Sequence, residues 1–564
     1  MKKTIAVVLS LMITLSIFAA LPLSADAYLD FEFGESGCVG NYEERPEFAY
    51  NDPKDGTNLT YTFDEASGTL TLIPHTDVSP DCSMGINIFK GQTKIKHLIV
   101  NEGVTGLYKG AFSDCTNLED VKLPSTLTKI EGDLFSNCIS LKEVTLKGNI
   151  STIYDYAFYN CSSLSSVTLN DKLEVIENGA FEECGKLGEI TFPKSLKEIS
   201  AYAFSSCYGL KKAVFKDSPA KIGNGSFLDC KALETVDFGS SLKELFVNCF
   251  YNCSALKSVN IPGSVKEIGK TVFGYCTSLV SAKIGEGTEK ICEEAFESCE
   301  SLKTVTLPKT IKTIDDLAFS ECESLKEINL PEGLSEMGTG VFAMCKALEK
   351  ITVPASVREL PVSLFSGCES LKEFVFADGV SVIPEQFFKN CKSLSKVQIP
   401  KSLTKIEYNN FNYESAIKDV YYLGSESDWK KIEIVESNNY NLEKATIHYN
   451  SKMPVSSASI KKNNPLKVNA KTVSFKAKKL KKAKQTAKAL TIKSAQGAVK
   501  ILKIKKGSAS KIFNKVSVNN KGAVTLKKGK YPKKTYKLKL KITASGNSGY
   551  NSASRTVTVK LKVK

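Results

Sequence analysis

Histidine is scarce in this chain, and the patterns that mark most catalytic and metal sites are missing. The 564 residues include three histidines, His75, His97 and His448, far apart in the sequence. There is no H-E-x-x-H, phosphate-loop, G-x-S-x-G or calcium-loop pattern. No C-x-x-C pair is present for zinc or thioredoxin-like chemistry. The many carboxylates follow the spacing of a repeat, as solvated faces do. The sequence therefore predicts neither an enzyme nor a cofactor or metal site.

Long apolar runs are also missing after the first 27 residues, so no transmembrane segment is predicted there. Residues 1–27 are predicted to be a secretory signal peptide, with Lys2 and Lys3 at the charged end and Ala25-Asp26-Ala27 as the cleavage site. A retained membrane anchor is the alternative, which the short apolar core and the fitting cleavage site disfavour. We therefore expect a secreted protein that begins at Tyr28.

One unit is repeated at a fixed spacing of 23 residues through the middle of the chain. Its mark is F-x-x-C, which occurs thirteen times without an insertion, with cysteines from Cys115 to Cys391. One further unit at each end, marked by Phe89 and Phe411, lacks the cysteine. A unit this short cannot bury its own apolar side chains, so neighbouring units must cover one another. Fifteen such units predict a solenoid.

Each unit is predicted to contain a short strand. Apolar residues lie three, six and eight positions after the cysteine, and the last two alternate with the period of a strand that has one face buried. Proline often follows, as at Pro124, where the missing N–H ends a strand. A second apolar pair, such as Leu127 and Ile130, and an Ala-Phe pair complete the unit.

The consensus C-x-x-L-x-x-V-x-L-P-x-x-L-x-x-I-x-x-x-A-F resembles the BspA-type leucine-rich repeat of bacterial cell-surface proteins over about 330 residues. This resemblance implies a leucine-rich-repeat solenoid of stacked parallel strands. It also implies a secreted or wall-associated protein with a role in adhesion or protein binding. The resemblance brings no catalytic residue with it.

We assign the repeats to residues 89–417. The regions on either side of them are predicted to be caps. An uncovered solenoid end exposes a sheet edge, so a cap is physically required. Residues 28–88 contain a predicted hairpin around Gly68, and residues 418–450 contain the single tryptophan, Trp429, which we expect in the core.

Seventeen cysteines in an exported chain suggest disulfides, but thirteen of them occupy one column of the repeat. Stacked copies would point their Cβ atoms in parallel, which is poor disulfide geometry. We therefore predict a buried ladder of thiols, hydrogen-bonded to the backbone. Outside the column, Cys249 takes an alanine position and is predicted to pack, Cys292 is a candidate exposed thiol, and Cys38 and Cys82 are a candidate disulfide.

The net charge of +15 combines two parts of opposite sign. Residues 451–564 contain 32 Lys and Arg and no Asp or Glu, which leaves 44 basic and 61 acidic residues, a net charge of −17, in residues 1–450. In the basic part, apolar residues alternate with lysine, a pattern typical of strands with lysine outward. After a linker at 451–460, we predict a Lys-rich all-β sandwich at 461–564, whose closing stretch resembles bacterial immunoglobulin-like surface modules.

Binding is the predicted function, and three surfaces are candidates. The residues seven positions after each cysteine should face outward; they are polar and rich in threonine, which favours a long, shallow contact with a protein or glycan. A tyrosine cluster on the return side of the turns is the second candidate, with filling between turns as the alternative. Exposed lysines of the basic domain are the third. The outward row comprises Thr145, Thr168, Thr191, Asp237, Asn260, Lys283, Thr306, Asn329, Thr352 and Gln398; the tyrosines are Tyr154, Tyr156, Tyr159, Tyr202, Tyr208, Tyr251 and Tyr275; and the lysines are Lys533, Lys534, Lys537, Lys539 and Lys541.

Two interpretations of the lysines stay open. They attach the protein to an anionic wall polymer, such as teichoic acid or acidic polysaccharide, or they form a solvated surface that keeps strand edges unpaired. Nucleic acid has no supporting motif or aromatic stacking pattern, and export argues against it. The sequence favours a secreted, wall-associated adhesion or interaction protein. The alternatives are a wall or matrix component that assembles with itself through opposite charges, and an accessory polysaccharide-binding protein.

Overall fold

The computed structural model of the protein describes residues 36–38, 59–74, 83–84, 88–218, 220–454, 466–494, 499–504, 514–545 and 553–564. The chain forms two compact bodies, Met1–Lys452 and Met453–Lys564, each with its own hydrophobic core. The predicted signal peptide, Cys82 and most of the predicted linker lie outside the described residues.

The first body is a solenoid in which most turns contribute a front strand and a two-residue back strand. Both are paired in parallel with their counterparts in the next turn, in register, as Glu143–Thr145 is with Ser166–Thr168. The predicted leucine-rich-repeat solenoid of stacked parallel strands is thus confirmed. The front strands are His97–Val100, Asp120–Lys122, Glu143–Thr145, Ser166–Thr168, Glu189–Phe192, Lys212–Phe215, Thr235–Asp237, Ser258–Ile261, Ser281–Ile284, Thr304–Thr306, Glu373–Val375, Lys396–Ile399, Asp419–Tyr422 and Thr446–Tyr449. The back strands are Gly106–Leu107, Lys129–Ile130, Thr152–Ile153, Val175–Ile176, Glu198–Ile199, Lys221–Ile222, Glu244–Leu245, Glu267–Ile268, Lys290–Ile291, Thr313–Ile314, Glu336–Met337, Val382–Ile383, Lys405–Ile406 and Glu433–Ile434.

An N-terminal hairpin covers the first turn, as the sequence predicts. Leu59–Asp64 pairs antiparallel with Thr69–Pro74, and the connection uses Gly68 at φ +70°, where a Cβ would lie 2.9 Å from the backbone oxygen of Lys94. Thr69–Pro74 then pairs in parallel with the first front strand, so one sheet runs from the hairpin into the repeats. Two short strands complete this end: Ser36–Cys38 beside the hairpin and Ser83–Met84 beside the first back strand.

At the C-terminal end, the residues that we expected to form a cap continue the solenoid. Asp419–Tyr422 and Thr446–Tyr449 extend the front sheet in parallel, and Glu433–Ile434 extends the back strands. A one-turn helix, Glu426–Trp429, with a capping box at its start, lies between them. Trp429 is partly buried against the core, with its ring 5.3 Å from that of Tyr422.

Two ladders of buried side chains join the turns. The phenylalanine rings stack from Phe89 to Phe388 with centroids 5.0–6.3 Å apart. Beside them, each column cysteine donates a thiol hydrogen bond of 3.0–3.3 Å to the carbonyl oxygen of the phenylalanine one turn earlier, as Cys138 does to Phe112. These cysteines are free and buried, so the predicted thiol ladder is confirmed. Cys249 is also buried, as predicted.

The backbone is left-handed at two positions in every turn that carries the F-x-x-C mark. The residues one and five positions before the cysteine have φ between +50° and +77°, and most of them are not glycine. A left-handed residue other than glycine costs about 1–2 kcal/mol. Tyr156 and Thr271 are among the bulky residues held there. The segment that carries the Ala-Phe pair is therefore tightly wound, and its other side chains range from buried to exposed.

The second body is all-β. Its largest sheet has four strands, antiparallel except for the parallel pair between Val473–Phe475 and Ala553–Val563. The small all-β fold is confirmed, whereas its immunoglobulin-like identity stays a prediction. In strand order, the four-stranded sheet is Val473–Phe475, Ala553–Val563, Thr535–Ala544 and Val499–Ile504; the three-stranded sheet is Gln485–Lys488, Ala523–Leu526 and Val516–Val518; Lys467–Ala470 pairs with Leu490–Ser494; and Ala477–Leu480 is a one-turn helix.

Candidate binding surfaces

The strand face is formed by the outward residues of the front strands, five and seven positions after the cysteine. The parallel register places the seventh-position residues side by side, as in the pairs Thr145/Thr168 and Asn260/Lys283. Their side chains are exposed along the row except at Gln398, which is half-buried. Asn329 and Thr352 lie outside the front strands, because pairing between their turns is reduced to a single bridge, Glu327 to Lys350. The predicted row is thus one surface with a local break.

Charges on the strand face largely neutralise one another. In the fifth-position row, Lys212 lies 3.7 Å from Glu189, and Lys396 lies 4.0 Å from Glu373. Exposed ion pairs of this kind contribute about 0–1 kcal/mol each, and salt screens them. The face therefore presents hydroxyl and amide groups rather than a field of one sign. Such groups suit hydrogen bonding along an extended protein or glycan.

One aromatic pair on the strand face has no counterpart in the sequence-based prediction. The rings of Tyr421 and His448 are stacked, with centroids 4.6 Å apart and planes 12° apart. His448 Nε2 lies 2.9 Å from Asp419 Oδ1, which fixes the orientation of the imidazole. Tyr421 continues the seventh-position row into the predicted cap region. Extending the count of the repeat by one turn reaches Tyr421 but not His448, which lies 27 residues later.

The turn face lies on the return side of the solenoid. We define it by five positions in each turn, namely seven, six, five, two and one residues before the cysteine, between residues 154 and 344. Six of the seven predicted tyrosines belong to it, and Tyr208 is adjacent. Tyr156, Tyr202 and Tyr275 are 41–47 % exposed, whereas Tyr154, Tyr159 and Tyr251 are half-buried.

The tyrosines of the turn face both pack between turns and remain accessible. The rings of Tyr156 and Tyr202 lie over Gly179 and Gly225 of the following turns, where a Cβ would come within 2.4 and 2.7 Å of them. Tyr251 and Tyr275 contact each other, with ring centroids 5.3 Å apart. One side of these rings therefore packs against the neighbouring turn, and the other side is open to solvent.

Carboxylates surround these tyrosines, although the sequence alone indicated only solvated faces for them. The turn face contains eleven Asp and Glu and one basic residue, Lys270. Burial raises the pKa of the Glu182 carboxyl to about 7, with a contribution from neighbouring Glu183. Reading the columns before the cysteine would have revealed this excess of acid. The residues are Asp155, Glu177, Glu182, Glu183, Asp229, Glu293, Glu294, Glu297, Asp315, Asp316 and Glu321.

Glu297 is the centre of a second acidic group. Its pKa is raised to about 7, mainly by burial and also by the charges of Glu294, Glu321 and Glu293, while Lys270 opposes the shift. Tyr275 is close enough for its own pKa to be raised by burial and by the Glu297 charge. These carboxylates are only partly compensated within the chain.

The lysine face is the outer surface of the four-stranded sheet in the second body. Thr535–Ala544 alternates exposed and buried residues along most of its length, so Lys537, Lys539 and Lys541 project from one side. Lys560 lies directly opposite Lys537 on the neighbouring strand. Lys533 and Lys534 are exposed just before the strand. Like charges in directly opposed positions destabilise a sheet, so an anion bound here would stabilise it.

Three further features concern metal ligands, membrane-spanning helices and the cysteines outside the column. Across the part of the chain that the structure describes, no group of three or more His, Cys, Asp or Glu is arranged to hold a metal ion. No helix within that part has the length and apolarity needed to cross a membrane. Cys292 is half-buried, and burial raises the pKa of its thiol to about 11. The Cys38–Cys82 pairing lies outside the described residues, because Cys82 is not among them.

A scan of protein families matches the BspA type leucine rich repeat region to residues 83–211, 197–319 and 289–418, which together span more than half of the chain. The chain belongs to this family. Leucine-rich repeat surface proteins are generally binding proteins rather than enzymes. No curated protein matches the BspA-type chain.

Several solved structures are similar to this BspA-type protein. A leucine-rich repeat protein from Bacteroides ovatus is 26 % identical, with a TM-score of 0.42, and the match covers 66 % of this chain and 100 % of that one. A leucine rich cell surface protein from Faecalibacterium prausnitzii is 24 % identical, with a TM-score of 0.36, over 68 % of this chain and 97 % of that one. The pneumococcal vaccine antigen PcpA is 17 % identical, with a TM-score of 0.35, over 73 % and 99 %.

Proposed function

We propose that this chain is a secreted binding protein of the bacterial cell surface. In this proposal, the strand face recognises an extracellular protein or glycan, and the lysine face holds the molecule to an anionic wall polymer. The observation that carries the anchoring role is the lysine face, where Lys537, Lys539 and Lys541 project together and Lys560 opposes Lys537. Residues 451–564 contain no acidic side chain, so this body carries a strong excess of positive charge.

The strand face supports the recognition role. Its threonine, asparagine and lysine side chains are exposed over many turns, which suits a long ligand rather than a small molecule. The stacked Tyr421 and His448 rings add a flat apolar element at one end, of the kind on which a sugar ring or an aromatic side chain packs. Adhesion and accessory glycan binding both remain within this proposal, and they differ only in the ligand.

Anchoring is tested by the retention of the full chain on isolated bacterial cell walls in a salt series. Between about 0.1 and 1 M salt the Debye length falls from about 10 to 3 Å, so retention through the lysine face should decrease strongly. The test variant is Lys537→Gln/Lys539→Gln/Lys541→Gln. The control is Lys478→Gln/Lys479→Gln/Lys482→Gln, which removes the same charge from exposed lysines at and just after the helix Ala477–Leu480.

We expect the test variant to lose most retention at low salt and the control to keep most of it. Walls stripped of their anionic polymers should retain neither the wild type nor the variants. Salt-independent retention, or equal losses in the two triple variants, would contradict anchoring through the lysine face.

A further inference from the structure

The turn face has an excess of negative charge over many turns of the solenoid. Between residues 154 and 344 it contains eleven acidic residues and Lys270 as the one base. Ion pairs within the chain neutralise part of this charge. Lys270 Nζ lies 2.9 Å from Glu293 Oε2, and Lys290 Nζ lies 2.8 Å from Asp315 Oδ2. The strand face, by contrast, pairs lysines and glutamates in adjacent turns. The turn face is therefore the more attractive surface for a cationic partner.

The same surface exposes large apolar side chains. Six such residues are 37–47 % exposed: Tyr156, Tyr202, Phe246, Val247, Tyr275 and Met344. Tyrosine, phenylalanine and methionine are enriched at the centres of protein interfaces. Beside this surface, Lys231 Nζ already lies 5.8 Å from the centroid of the Tyr208 ring, which shows that a lysine ammonium can occupy the face of a tyrosine here.

The half-buried carboxylates add a reason for a cation to bind. Glu182 and Glu297 lose hydration through burial, which disfavours their charged forms and raises the pKa of each to about 7. Glu182 Oε2 shares the space over Gly179 with the ring of Tyr156. A lysine ammonium placed between ring and carboxylate would interact with both.

We propose that the turn face binds the lysine face of a second copy of this chain. The bulk charges are complementary, −17 for residues 1–450 and +32 for residues 451–564. The spacings also agree, because Lys537 and Lys560 lie on neighbouring strands, and neighbouring strands and successive turns of the solenoid both repeat at about 4.8 Å. A contact between two different surfaces is heterologous, so it extends into a chain of molecules unless it closes into a ring. This inference rests on the lysine face of the proposed function, but here the lysine face binds a protein surface instead of a wall polymer.

Sedimentation velocity of the full chain at low and moderate salt tests the proposal. The test variant is Glu182→Gln/Glu183→Gln/Glu294→Gln/Glu297→Gln. The control variant, Asp171→Asn/Glu300→Gln/Glu332→Gln/Asp378→Asn, replaces the same number of carboxylates at exposed positions outside the turn face. We expect wild type and control to associate at low salt and dissociate as salt rises. The turn-face variant should associate at least tenfold more weakly.

A second arm changes the other surface. Lys537→Gln/Lys539→Gln/Lys541→Gln should weaken association as much as the turn-face variant does, and combining the two sets should add little, because both remove the same contact. A wild type that stays monomeric at low salt overturns the proposal, and so does equal weakening in the turn-face and control variants. Wall retention of the turn-face variant distinguishes failure of anchoring from failure of self-association. This variant keeps its lysine face, so its wall retention should equal that of wild type whether or not the chain self-associates. If anchoring fails, by contrast, wall retention is low for wild type and for every variant.

Discussion

The thiol ladder makes a quantitative prediction about cysteine reactivity. The thiolate is the reactive form, and burial raises the pKa of the Cys115 and Cys276 thiols from 9.0 to about 12. At neutral pH this shift lowers the thiolate fraction about 1000-fold. Cys292 is half-buried, and its pKa of about 11 corresponds to a reduction of only about 100-fold. Its access to solvent adds to the difference.

Labelling by a maleimide or iodoacetamide, followed by peptide mapping, measures these rates one cysteine at a time. In the native protein, Cys292 should react first among the cysteines between residues 88 and 454. Its rate should rise about tenfold for each pH unit below its pKa, because the thiolate fraction does. The column cysteines should react only as the solenoid opens, and all should react at once in denaturant. Cys292→Ser should remove the fast phase and leave the rest unchanged.

The reasoning would be refuted if the column cysteines were labelled as fast as Cys292 in the native state. Recovery of disulfide-linked peptides from adjacent turns would refute it as well. In that case the hydrogen bonds from the thiols to the phenylalanine carbonyls would not describe the protein in solution.

Two further predictions concern stability, each measured by urea unfolding. Glu297 has a pKa of about 7 in the folded protein against an ordinary 4.5, so the stability it contributes is present below about pH 4.5 and is lost as pH rises through 7. The substitution Glu297→Gln should therefore stabilise the protein more at pH 8 than at pH 5. An equal effect at both pH values would contradict the raised pKa. Ser363 has a φ of +58°, so Ser363→Gly should raise the free energy of unfolding by about 0.5–1 kcal/mol. The matched control Ser366→Gly, at a residue that is not left-handed, should lower it, and a common sign for the two variants would contradict the strain argument.

The repeat made the solenoid predictable because each column of the sequence reports one structural environment many times. An apolar residue at the sixth and eighth positions after the cysteine recurs too often to be accidental, and the strands lie where that alternation places them. The thiol ladder followed from the same regularity, since a column of thirteen cysteines must stack with parallel Cβ atoms.

The turn face could not be predicted in this way, because its residues differ from turn to turn. Tyr156, Gly179 and Tyr202 occupy the same column, and only their three-dimensional stacking shows that a ring in one turn rests on the glycine of the next. The raised pKa of Glu182 likewise depends on its burial in the folded structure. The parallel strands after residue 418 were not predicted for a related reason: insertion of the helix Glu426–Trp429 lengthens the turn, which hides these strands from a fixed period of 23.

The bond from thiol to carbonyl has a consequence for the length of the molecule. Each turn accepts a hydrogen bond at its phenylalanine carbonyl and donates one from its cysteine, so every internal turn supplies one acceptor and one donor to its neighbours. Removal or duplication of a 23-residue segment within the column would leave each thiol of the ladder opposite a phenylalanine carbonyl, since the new neighbours present the same atoms. The thiol ladder is therefore compatible with a solenoid that is longer or shorter by whole turns of about 4.8 Å.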